Sequence, residues 1–496
     1  MKYIIGIDIG TSGTKSALFD TEGNLVSAAT VEYPLSQPKN GWAEQDPAHW
    51  WDAVKKTLRT IAPAAEGGEI CGIGLSGQMH GLVMLDEAGE VLRPSIIWCD
   101  GRTTEECREI EALMGGRERL IEITANPALE GFTAGKIRWV MKHEPEIYAR
   151  CRHILLPKDY IRYCLTGEFA TEVSDASGMQ LLDVKGRYWS EEVCEKLGID
   201  MSLLAKVYES PEITGRITPA VAAETGLCAG IPVAGGAGDN AAAAIGTGVC
   251  REGRAFTTIG TSGVVFAHTD SPCIDKQGRI HTFCCAVPGA WHVMGVTQAA
   301  GLSLNWYRNT LAKDMSYPEI DRAAEGVGIG ADKLLYLPYL MGERTPILDA
   351  SARGCFVGLS AMHTRAHMAR AVLEGVSYSL CDSLSVLREV GVETSDMAIC
   401  GGGAKSVFWR KMLADVYGIP VKVMQSSEGA ALGAAILGGV AGGVYASVEE
   451  GCDRVVKAGD VTDFDAARHE EYMKYYRIYH GLYPSLKGAF SELADM

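Results

Sequence analysis

Short apolar runs that end at glycine or at small polar residues recur along the chain and predict β-strands. The runs are rich in Ile, Val and Leu, as strands usually are. The predicted strands cover residues 3–9, 16–19, 70–75, 82–85, 91–98, 232–234, 255–259, 264–267, 397–400 and 421–424.

Longer segments between these runs carry helix signals. A helix is predicted over 47–58, with Asp46 as its N-cap and Pro47 at its first position. Another is predicted over 405–417, ended by Gly418 and followed by Pro420. Five tyrosines between residues 464 and 483 follow the spacing of one helix face, which indicates core packing. Strands that alternate with helices predict an α/β protein.

One pentapeptide occurs twice. Ile-Gly-Thr-Ser-Gly stands at residues 9–13 and again at 259–263, an offset of 259 − 9 = 250 in a chain of 496 residues. Each copy lies between two apolar runs, which predicts a β-hairpin whose tip presents backbone N–H groups and hydroxyls. The offset is about half the chain length and indicates a gene duplication. We therefore predict two related lobes, residues 1–247 and 248–496, with a cleft between them.

The charge balance narrows the range of partners. The chain has 46 Lys and Arg residues against 62 Asp and Glu residues, a net charge of −16, and a pI of about 5.2. A surface of this kind repels polyanions, so neither nucleic acid nor an anionic membrane is an expected partner. A phosphate-bearing ligand would have to be held locally, by backbone amides or by a metal ion.

Three features bear on location. The first ten residues contain a short apolar stretch interrupted by Asp8, which predicts a strand rather than a secretory signal. The Ala- and Gly-rich run 429–446 is too weakly apolar for a bilayer and predicts a tightly packed helix. The 15 cysteines are scattered without metal-binding spacing, which is typical of a reducing compartment. A cytoplasmic location is expected.

Asp8 is a carboxylate inside an apolar strand, directly before the first loop tip. Burying such a charge costs several kcal/mol unless a cation or hydrogen bonds compensate it. A Mg²⁺ ion carried by a nucleotide would compensate it, because Mg²⁺ commonly contacts proteins through one or two carboxylates. The alternative is a hydrogen bond to the amides of its own turn. The recurrence of the loop favours the metal-binding interpretation.

The two loop tips carry hydroxyl and amide groups that can bind phosphate from opposite sides. Such residues are also ordinary turn residues, and the duplication is what favours phosphate binding here. The candidate phosphate-binding residues are Thr11, Ser12 and Thr14 in the first loop and Gly260, Thr261 and Ser262 in the second.

Two other polar pairs allow two interpretations each. Asp239 and Asn240 follow a glycine-rich turn and precede an apolar helix, so Asp239 is either an N-cap or a general base that accepts a proton from a hydroxyl. Met79 and His80 lie in a glycine-flanked loop between two predicted strands. His80 is either a structural hydrogen-bonding residue or a ligand for a sugar hydroxyl.

Three glycine-rich segments can be compared with known nucleotide-binding motifs. Gly401, Gly402 and Gly403 join a strand to a helix and would let a nucleotide lie against bare backbone. Residues 72–77 match the dinucleotide string G-x-G-x-x-G, but a strand-like run follows where a helix is required. Residues 10–16 resemble a P-loop but lack adjacent Gly-Lys.

Several longer motifs resemble the FGGY family of carbohydrate kinases. Residues 6–13, Gly-Ile-Asp-Ile-Gly-Thr-Ser-Gly, are similar to the family's first phosphate motif. Residues 131–143 fit its first signature, and residues 354–359 with 367–374 fit its second. Within the family, five shorter strings resemble the xylulokinase group. They lie at residues 77–81, 155–160, 174–177, 238–240 and 342–346.

The resemblance implies a fold, an activity and residue roles. The implied fold is a pair of ribonuclease H-like, actin-like lobes, and a homodimer is possible. The implied activity is phosphoryl transfer from ATP, with Mg²⁺, to D-xylulose. Another small sugar, a polyol or a sugar acid is the alternative acceptor. The implied roles are sugar contacts for Met79, His80 and Asn240, general base for Asp239, Mg²⁺ for Asp8, and adenosine contacts for Gly401, Gly402, Gly403 and Ser406. Cys99 departs from the expected pattern, where a polar residue is usual. The rival is an actin- or Hsp70-like ATPase, which shares both loops but needs no sugar site.

Overall fold

Residues 1–426, 428–494 and 496 are described by a computed structural model. The strands are β1 (Lys2–Ile9), β2 (Gly13–Asp20), β3 (Leu25–Glu32), β4 (Glu44–Gln45), β5 (Glu69–Gly77), β6 (Val83–Leu85), β7 (Ser95–Ile96), β8 (His153–Leu155), β9 (Ala170–Glu172), β10 (Leu182–Asp183), β11 (Tyr188–Trp189), β12 (Lys206–Tyr208), β13 (Ile213–Arg216), β14 (Pro232–Ala234), β15 (Ala237–Gly238), β16 (Gly253–Ile259), β17 (Gly263–Thr269), β18 (His281–Cys284), β19 (Trp291–Thr297), β20 (Leu335–Leu337), β21 (Cys355–Val357), β22 (Thr394–Gly401), β23 (Val421–Met424) and β24 (Ala458–Thr462).

Helices cover most of the remaining regular structure. They are α1 (Pro47–Ile61), α2 (Thr104–Leu113), α3 (Arg117–Thr124), α4 (Thr133–His143), α5 (Pro145–Arg150), α6 (Pro157–Thr166), α7 (Val173–Ala176), α8 (Glu191–Leu197), α9 (Pro219–Thr225), α10 (Asp239–Gly246), α11 (Gly301–Leu311), α12 (Tyr317–Glu325), α13 (Arg365–Glu389), α14 (Val407–Tyr417), α15 (Gly429–Ala441), α16 (Val448–Val455), α17 (Ala466–His480) and α18 (Leu482–Ala494).

Two mixed sheets of the same topology form the two halves of the protein. The first runs in the order β13-β14-β5-β1-β2-β3, with β15 also paired to β5. The second runs β24-β23-β22-β16-β17-β19, with β18 beyond β19. In each sheet the first strand in the chain pairs antiparallel with the next strand and parallel with a later one. The predicted α/β fold with two duplicated lobes is therefore confirmed.

The repeated pentapeptide forms a hairpin tip in each sheet, but the two tips differ in length. Ile9 pairs with Thr14 in the first hairpin, whereas Ile259 pairs with Gly263 in the second. The first tip is therefore one residue longer than the second. Identical tip residues do not impose the same strand register on both hairpins, because the register also depends on the side chains that each strand buries.

Two helices cross between the halves. Helix α15, from the second half of the chain, packs against β1 and β5 of the first sheet and against α10. Ala244 of α10 packs in turn with Phe256 and Phe266 of the second sheet. A Cβ added at Gly74 would lie 1.8 Å from the Ala434 carbonyl oxygen, so backbone packs directly on backbone here.

The Ala- and Gly-rich run is a packed helix, as predicted. Its residues from Ala431 to Gly439 are buried against protein. Among the described residues, no helix combines the length and the apolar character needed to cross a membrane. The predicted lobe boundary at 247/248 lies just after α10 and remains a prediction.

Three predicted elements need correction. The strand predicted over 91–98 shrinks to β7, and Val91 forms only an isolated bridge with Leu85, because Pro94 cannot donate to a ladder. The helix predicted from 405 begins at Val407, because Ser406 caps it by accepting a hydrogen bond from the Trp409 N–H. Asp239 is not an N-cap but the first helical residue, with Gly238 at the cap.

The tyrosine-rich segment forms two helices rather than one. Helix α17 ends at His480, and Tyr483 lies in α18. Tyr472 and Tyr479 are fully buried against α13, which confirms core packing for these two.

Candidate functional site

Asp8 and Asp239 lie at the carboxyl ends of β1 and β15, two parallel strands that flank β5. Asp8 of β1 is in register with Ser76 of β5, and Ala237 of β15 pairs with the same serine from the other side. The Ser76 hydroxyl donates a hydrogen bond of 2.8 Å to the Asp8 Oδ1. Sheet topology thus brings together two carboxylates that are far apart in the sequence.

Burial controls the charge of both carboxyl groups. Burial and, after it, the charge of Asp8 raise the pKa of Asp239 to about 6, against the hydrogen bonds from Asn240. Burial also raises the pKa of Asp8, while Ser76 and the Lys15 ammonium oppose the rise. Lys15 itself forms an ion pair with Glu428, just before α15. Two neighbouring, largely desolvated carboxyl groups will readily accept a proton or a cation.

Asn240 fixes the orientation of the Asp239 side chain. Its backbone N–H and its Nδ2 donate to the Asp239 Oδ1 over 2.7 and 3.0 Å. No hydrogen bond to Oδ2 is found among the described residues. One carboxylate oxygen is held in place, and the other is free to accept a proton.

Met79 and His80 lie in the loop after β5, beside Asp239. A Cβ at Gly238 would lie 2.8 Å from the Met79 sulfur, so Met79 packs directly on the residue before Asp239. His80 has a left-handed backbone, with φ of 69°, and its carbonyl oxygen accepts from the Lys136 ammonium at 2.8 Å. The structure thus brings together Asp239 and the three predicted sugar contacts, Met79, His80 and Asn240.

The His80 ring is neutral and has a defined tautomer. Its Nδ1 lies 2.8 Å from the Gly178 carbonyl oxygen, which can only accept, so Nδ1 carries the proton. Burial, with the charge of Lys136, lowers the pKa of His80 to about 3. Nε2 therefore has a lone pair that can accept a hydrogen bond.

The first loop tip is fixed from several sides. Thr11 accepts a hydrogen bond from the Trp98 indole at 2.9 Å, and the Gly10 N–H donates to the Gly13 carbonyl at 3.0 Å. Ser12 is exposed at the tip. Thr14 differs, because its side chain is buried within β2 and contacts the Tyr33 hydroxyl at 3.5 Å. Its assignment to phosphate binding remains a prediction.

A cavity of about 540 Å³ opens beside the second loop. Five predicted nucleotide-binding residues line it, whereas Ser262 and Gly401 are absent from the described lining. The five are Gly260, Thr261, Gly402, Gly403 and Ser406. Gly401 has a φ of 83°, and a Cβ there would lie 2.6 Å from the Ile259 carbonyl oxygen, so this glycine serves the turn out of β22.

Sequence reasoning missed the far wall of this cavity. Helices α11 and α12 contribute Leu302, Asn305, Tyr317 and Asp321 to the lining. Burial raises the pKa of Asp321, and a hydrogen bond with Ser406 opposes the rise. The segment 300–321 has no repeat or motif that would have revealed it.

A buried ion cluster lies below the Asp239 turn and was also missed. The Lys158 ammonium lies 2.8, 3.2 and 3.1 Å from carboxylate oxygens of Asp159, Glu172 and Asp175. Glu172 binds the hydroxyl of Ser174, and that hydroxyl accepts from the Gly238 N–H at 3.1 Å. The cluster therefore supports the residue directly before Asp239. Lys158 and Ser174 belong to quoted motifs, but only the tertiary fold shows their contact.

The carboxylates suit a metal ion that arrives with its own ligands. No group of three or more His, Cys, Asp or Glu side chains able to hold a metal occurs within the described part of the chain. Asp8 and Asp239 supply two half-buried carboxyl groups with raised pKa. Mg²⁺ on a nucleotide needs few protein ligands, because phosphate oxygens and waters fill the remainder.

Comparison with known proteins agrees with this geometry. The family profiles for the N- and C-terminal domains of the FGGY family of carbohydrate kinases match residues 3–246 and 255–442. A xylulose kinase from Bacillus subtilis is 38% identical over 492 residues, covering 98% of each chain.

Two solved structures from Lactobacillus acidophilus also match. One is described as a ligand-bound xylulose kinase and the other as a gluconate kinase, and each is 29% identical with a TM-score of 0.95. Each alignment covers 99% of this chain and 99% or more of the other. The chain therefore belongs to the FGGY family of carbohydrate kinases.

Proposed function

We propose that the protein transfers the terminal phosphoryl group of ATP to the 5-hydroxyl of D-xylulose. The observation that carries the proposal is Asp239, a half-buried carboxylate with one free oxygen, beside the Met79–His80 loop and influenced by the charge of Asp8. The printed names of similar proteins support xylulose as the acceptor. An actin- or Hsp70-like ATPase, the rival considered above, would have no use for this loop.

Asp239 acts as the general base. Its free oxygen accepts the proton of the sugar hydroxyl as that hydroxyl attacks, while Asn240 holds the other oxygen. A pKa near 6 leaves the group mostly ionised at neutral pH and still basic enough to accept a proton.

The chain contributes alignment and charge stabilisation rather than covalent chemistry. Neutral His80 accepts a hydrogen bond from a sugar hydroxyl through Nε2, and Met79 packs against the carbon chain. The tips at residues 10–13 and 260–262 direct backbone N–H groups at the phosphates, and the 540 Å³ cavity takes the adenosine. Asp8 would hold Mg²⁺, which when bound supplies positive charge against the phosphate oxygens.

A sugar acid is the second candidate for the acceptor. Two observations favour it: the similarity to a gluconate kinase, and the unpaired guanidinium of Arg344 near His80, which could bind a carboxylate. Xylulose is preferred because the full-length sequence relative quoted above, at 38% identity, carries that name.

The test is ADP release with MgATP in the presence of D-xylulose, ribulose, glycerol, gluconate or no sugar. We expect D-xylulose to stimulate turnover well above every other addition. Stimulation by gluconate instead would establish the second candidate. Equal ATP turnover in all reactions would refute sugar phosphorylation by this site.

A further inference from the structure

Arg344 lies in the segment between Gly342 and Pro346, and its backbone is fixed on both sides. The Thr345 N–H donates to the Val296 carbonyl at 2.9 Å, and the Val296 N–H donates to the Thr345 hydroxyl at 3.0 Å. The Arg344 N–H donates to the Glu343 Oε1 at 2.7 Å. These bonds attach Arg344 to the end of β19, next to the start of β17 and hence to the second loop.

Throughout residues 1–426, 428–494 and 496, no hydrogen bond or ion pair to the Arg344 guanidinium is found. Burial lowers its pKa and outweighs the charges of Glu343 and Glu130, which raise it. Two other buried arginines have carboxylate partners: Arg162 binds Asp159 at 2.8 Å, and Arg370 binds Glu374 at 2.5 Å. A half-buried, unpaired guanidinium is costly, and the cost is recovered when an acceptor arrives.

The surroundings of Arg344 place it at one end of the candidate sugar site. Val296, which is hydrogen-bonded to Thr345, packs in one cluster with Phe132 and Phe283. The rings of Phe132 and Phe283 lie 4.8 and 6.3 Å from His80, and they form the apolar wall beside it. In agreement with this placement, the charge of Arg344 lowers the pKa of both His80 and His281.

We propose that Arg344 is a specificity residue that donates hydrogen bonds to the carbonyl oxygen of an open-chain ketose, at the end opposite to the phosphorylated hydroxyl. This inference rests on the function proposed above. The second half of the protein then contributes a sugar contact, and the sugar site is complete only with both halves. A guanidinium is a donor only, so it suits a carbonyl oxygen, which is an acceptor only.

The proposal distinguishes Arg344 from the residues that do chemistry. Losing a hydrogen bond from a charged group should weaken sugar binding about ten- to a hundredfold. Turnover at saturating sugar should fall much less, because the transferred proton and phosphoryl group lie elsewhere. Pentitols lack the carbonyl oxygen, so their weaker binding should change little when Arg344 is replaced.

The experiment compares Arg344→Gln and Arg344→Lys with the control Arg353→Gln. Arg353 lies further along the same segment, exposed, and its guanidinium donates only to the carbonyls of Ala350 and Ala352. The Kd for D-xylulose and for xylitol is measured by calorimetry with a non-hydrolysable MgATP analogue, and KM and kcat by ADP release. We expect Kd and KM for xylulose to rise ten- to hundredfold in Arg344→Gln and less in Arg344→Lys. The KM for ATP should not change in either variant.

Three results would overturn the proposal. One is a KM for xylulose in Arg344→Gln within twofold of wild type; another is an equal loss of affinity for xylitol and xylulose. The third is a larger loss against gluconate than against xylulose, which would assign Arg344 to a carboxylate. Failure of the proposed function is separate, because it would appear as a wild-type enzyme that xylulose does not stimulate.

Discussion

Asp239 shows how local geometry can set the role of one side chain. Serving as an N-cap would have used its carboxylate to bind helix N–H groups. Because Gly238 is the cap, the Asp239 side chain is held through one oxygen by Asn240 and keeps the other free. This free oxygen is what the proposed role of Asp239 as general base requires.

Replacing Asp239 by Asn should reduce kcat about 10²- to 10⁴-fold, the usual contribution of a general base. The amide cannot accept the proton but keeps the shape of the side chain. Turnover is measured by ADP release at saturating D-xylulose. A variant with kcat within threefold of wild type would remove Asp239 from the role.

Stability provides the matching control for this variant. The raised pKa means that the Asp239 carboxyl stabilises the fold while it is protonated, and that this contribution is lost as pH rises through about 6. Asp239→Asn should therefore unfold no earlier than wild type at pH 8. Earlier unfolding would attribute its lost activity to damaged structure.

The pH profile follows from the same pKa. A general base must be deprotonated, so kcat/KM for xylulose should fall about tenfold per pH unit below pH 6. Asp8→Asn removes the neighbouring charge that raises this pKa, so the acid limb of its residual activity should move to lower pH. An acid limb that stays in place would show that the two carboxyl groups do not interact.

Helix α15 illustrates packing that depends on the absence of side chains. Gly6, Gly72 and Gly74 of the first sheet all face its backbone, and a Cβ on each would lie 2.0 Å or less from a carbonyl oxygen of the helix. These three strand positions are therefore occupied by glycine, because any side chain would prevent the close contact between the sheet and the helix backbone. This contact couples the second half of the chain to the strands that carry Asp8 and Ser76.

Gly74→Ala should lower the free energy of unfolding by about 3 kcal/mol or more, because overpacking against rigid backbone cannot relax. Gly488→Ala in α18 is the control, since a Cβ there meets nothing within 4 Å and alanine favours a helix. The free energy of unfolding of both variants is measured by urea denaturation, monitored by tryptophan fluorescence. Equal midpoints in the two variants would contradict the packing argument.

Helices α10 and α15 pack on each other between the two halves, so we expect relative motion of the halves to be centred there. Helix α15 packs on the first sheet, and Ala244 of α10 packs with Phe256 and Phe266 of the second. The proposed sugar-binding residues lie on the first half, while the cavity proposed to take adenosine lies on the second. Transfer between them requires the halves to approach and exclude water.

Sugar and nucleotide together should therefore reduce the radius of gyration more than either alone. The measurement is small-angle X-ray scattering with D-xylulose, a non-hydrolysable MgATP analogue, or both. Asp239→Asn should close like the wild type, since it retains the binding residues. Identical scattering curves in all states would argue against lobe closure.

A homodimer and a cytoplasmic location remain predictions.

Much of the fold and part of the site could be predicted from local pattern. The hairpins at residues 9–13 and 259–263 were predictable, because turn chemistry and strand propensity act over a few residues. The walls of the cavity at Asn305 and Asp321 were not, because nothing local distinguishes them from ordinary helix residues. In the sequence, Arg344 was visible only as part of a motif. That its guanidinium lacks a partner can be seen only in the folded structure, where its neighbours are known.

Sequence pattern alone established the alternation of strands and helices, the duplication and the family, because these depend on short-range preferences and repeated letters. Tertiary structure alone decided which groups meet. Asp8 and Asp239 have raised pKa values because strand order places them on either side of β5, shielded from water, and Lys158 supports Gly238 through Glu172 and Ser174. Burial and proximity are properties of the whole packed chain, so chemistry that depends on them appears only after folding.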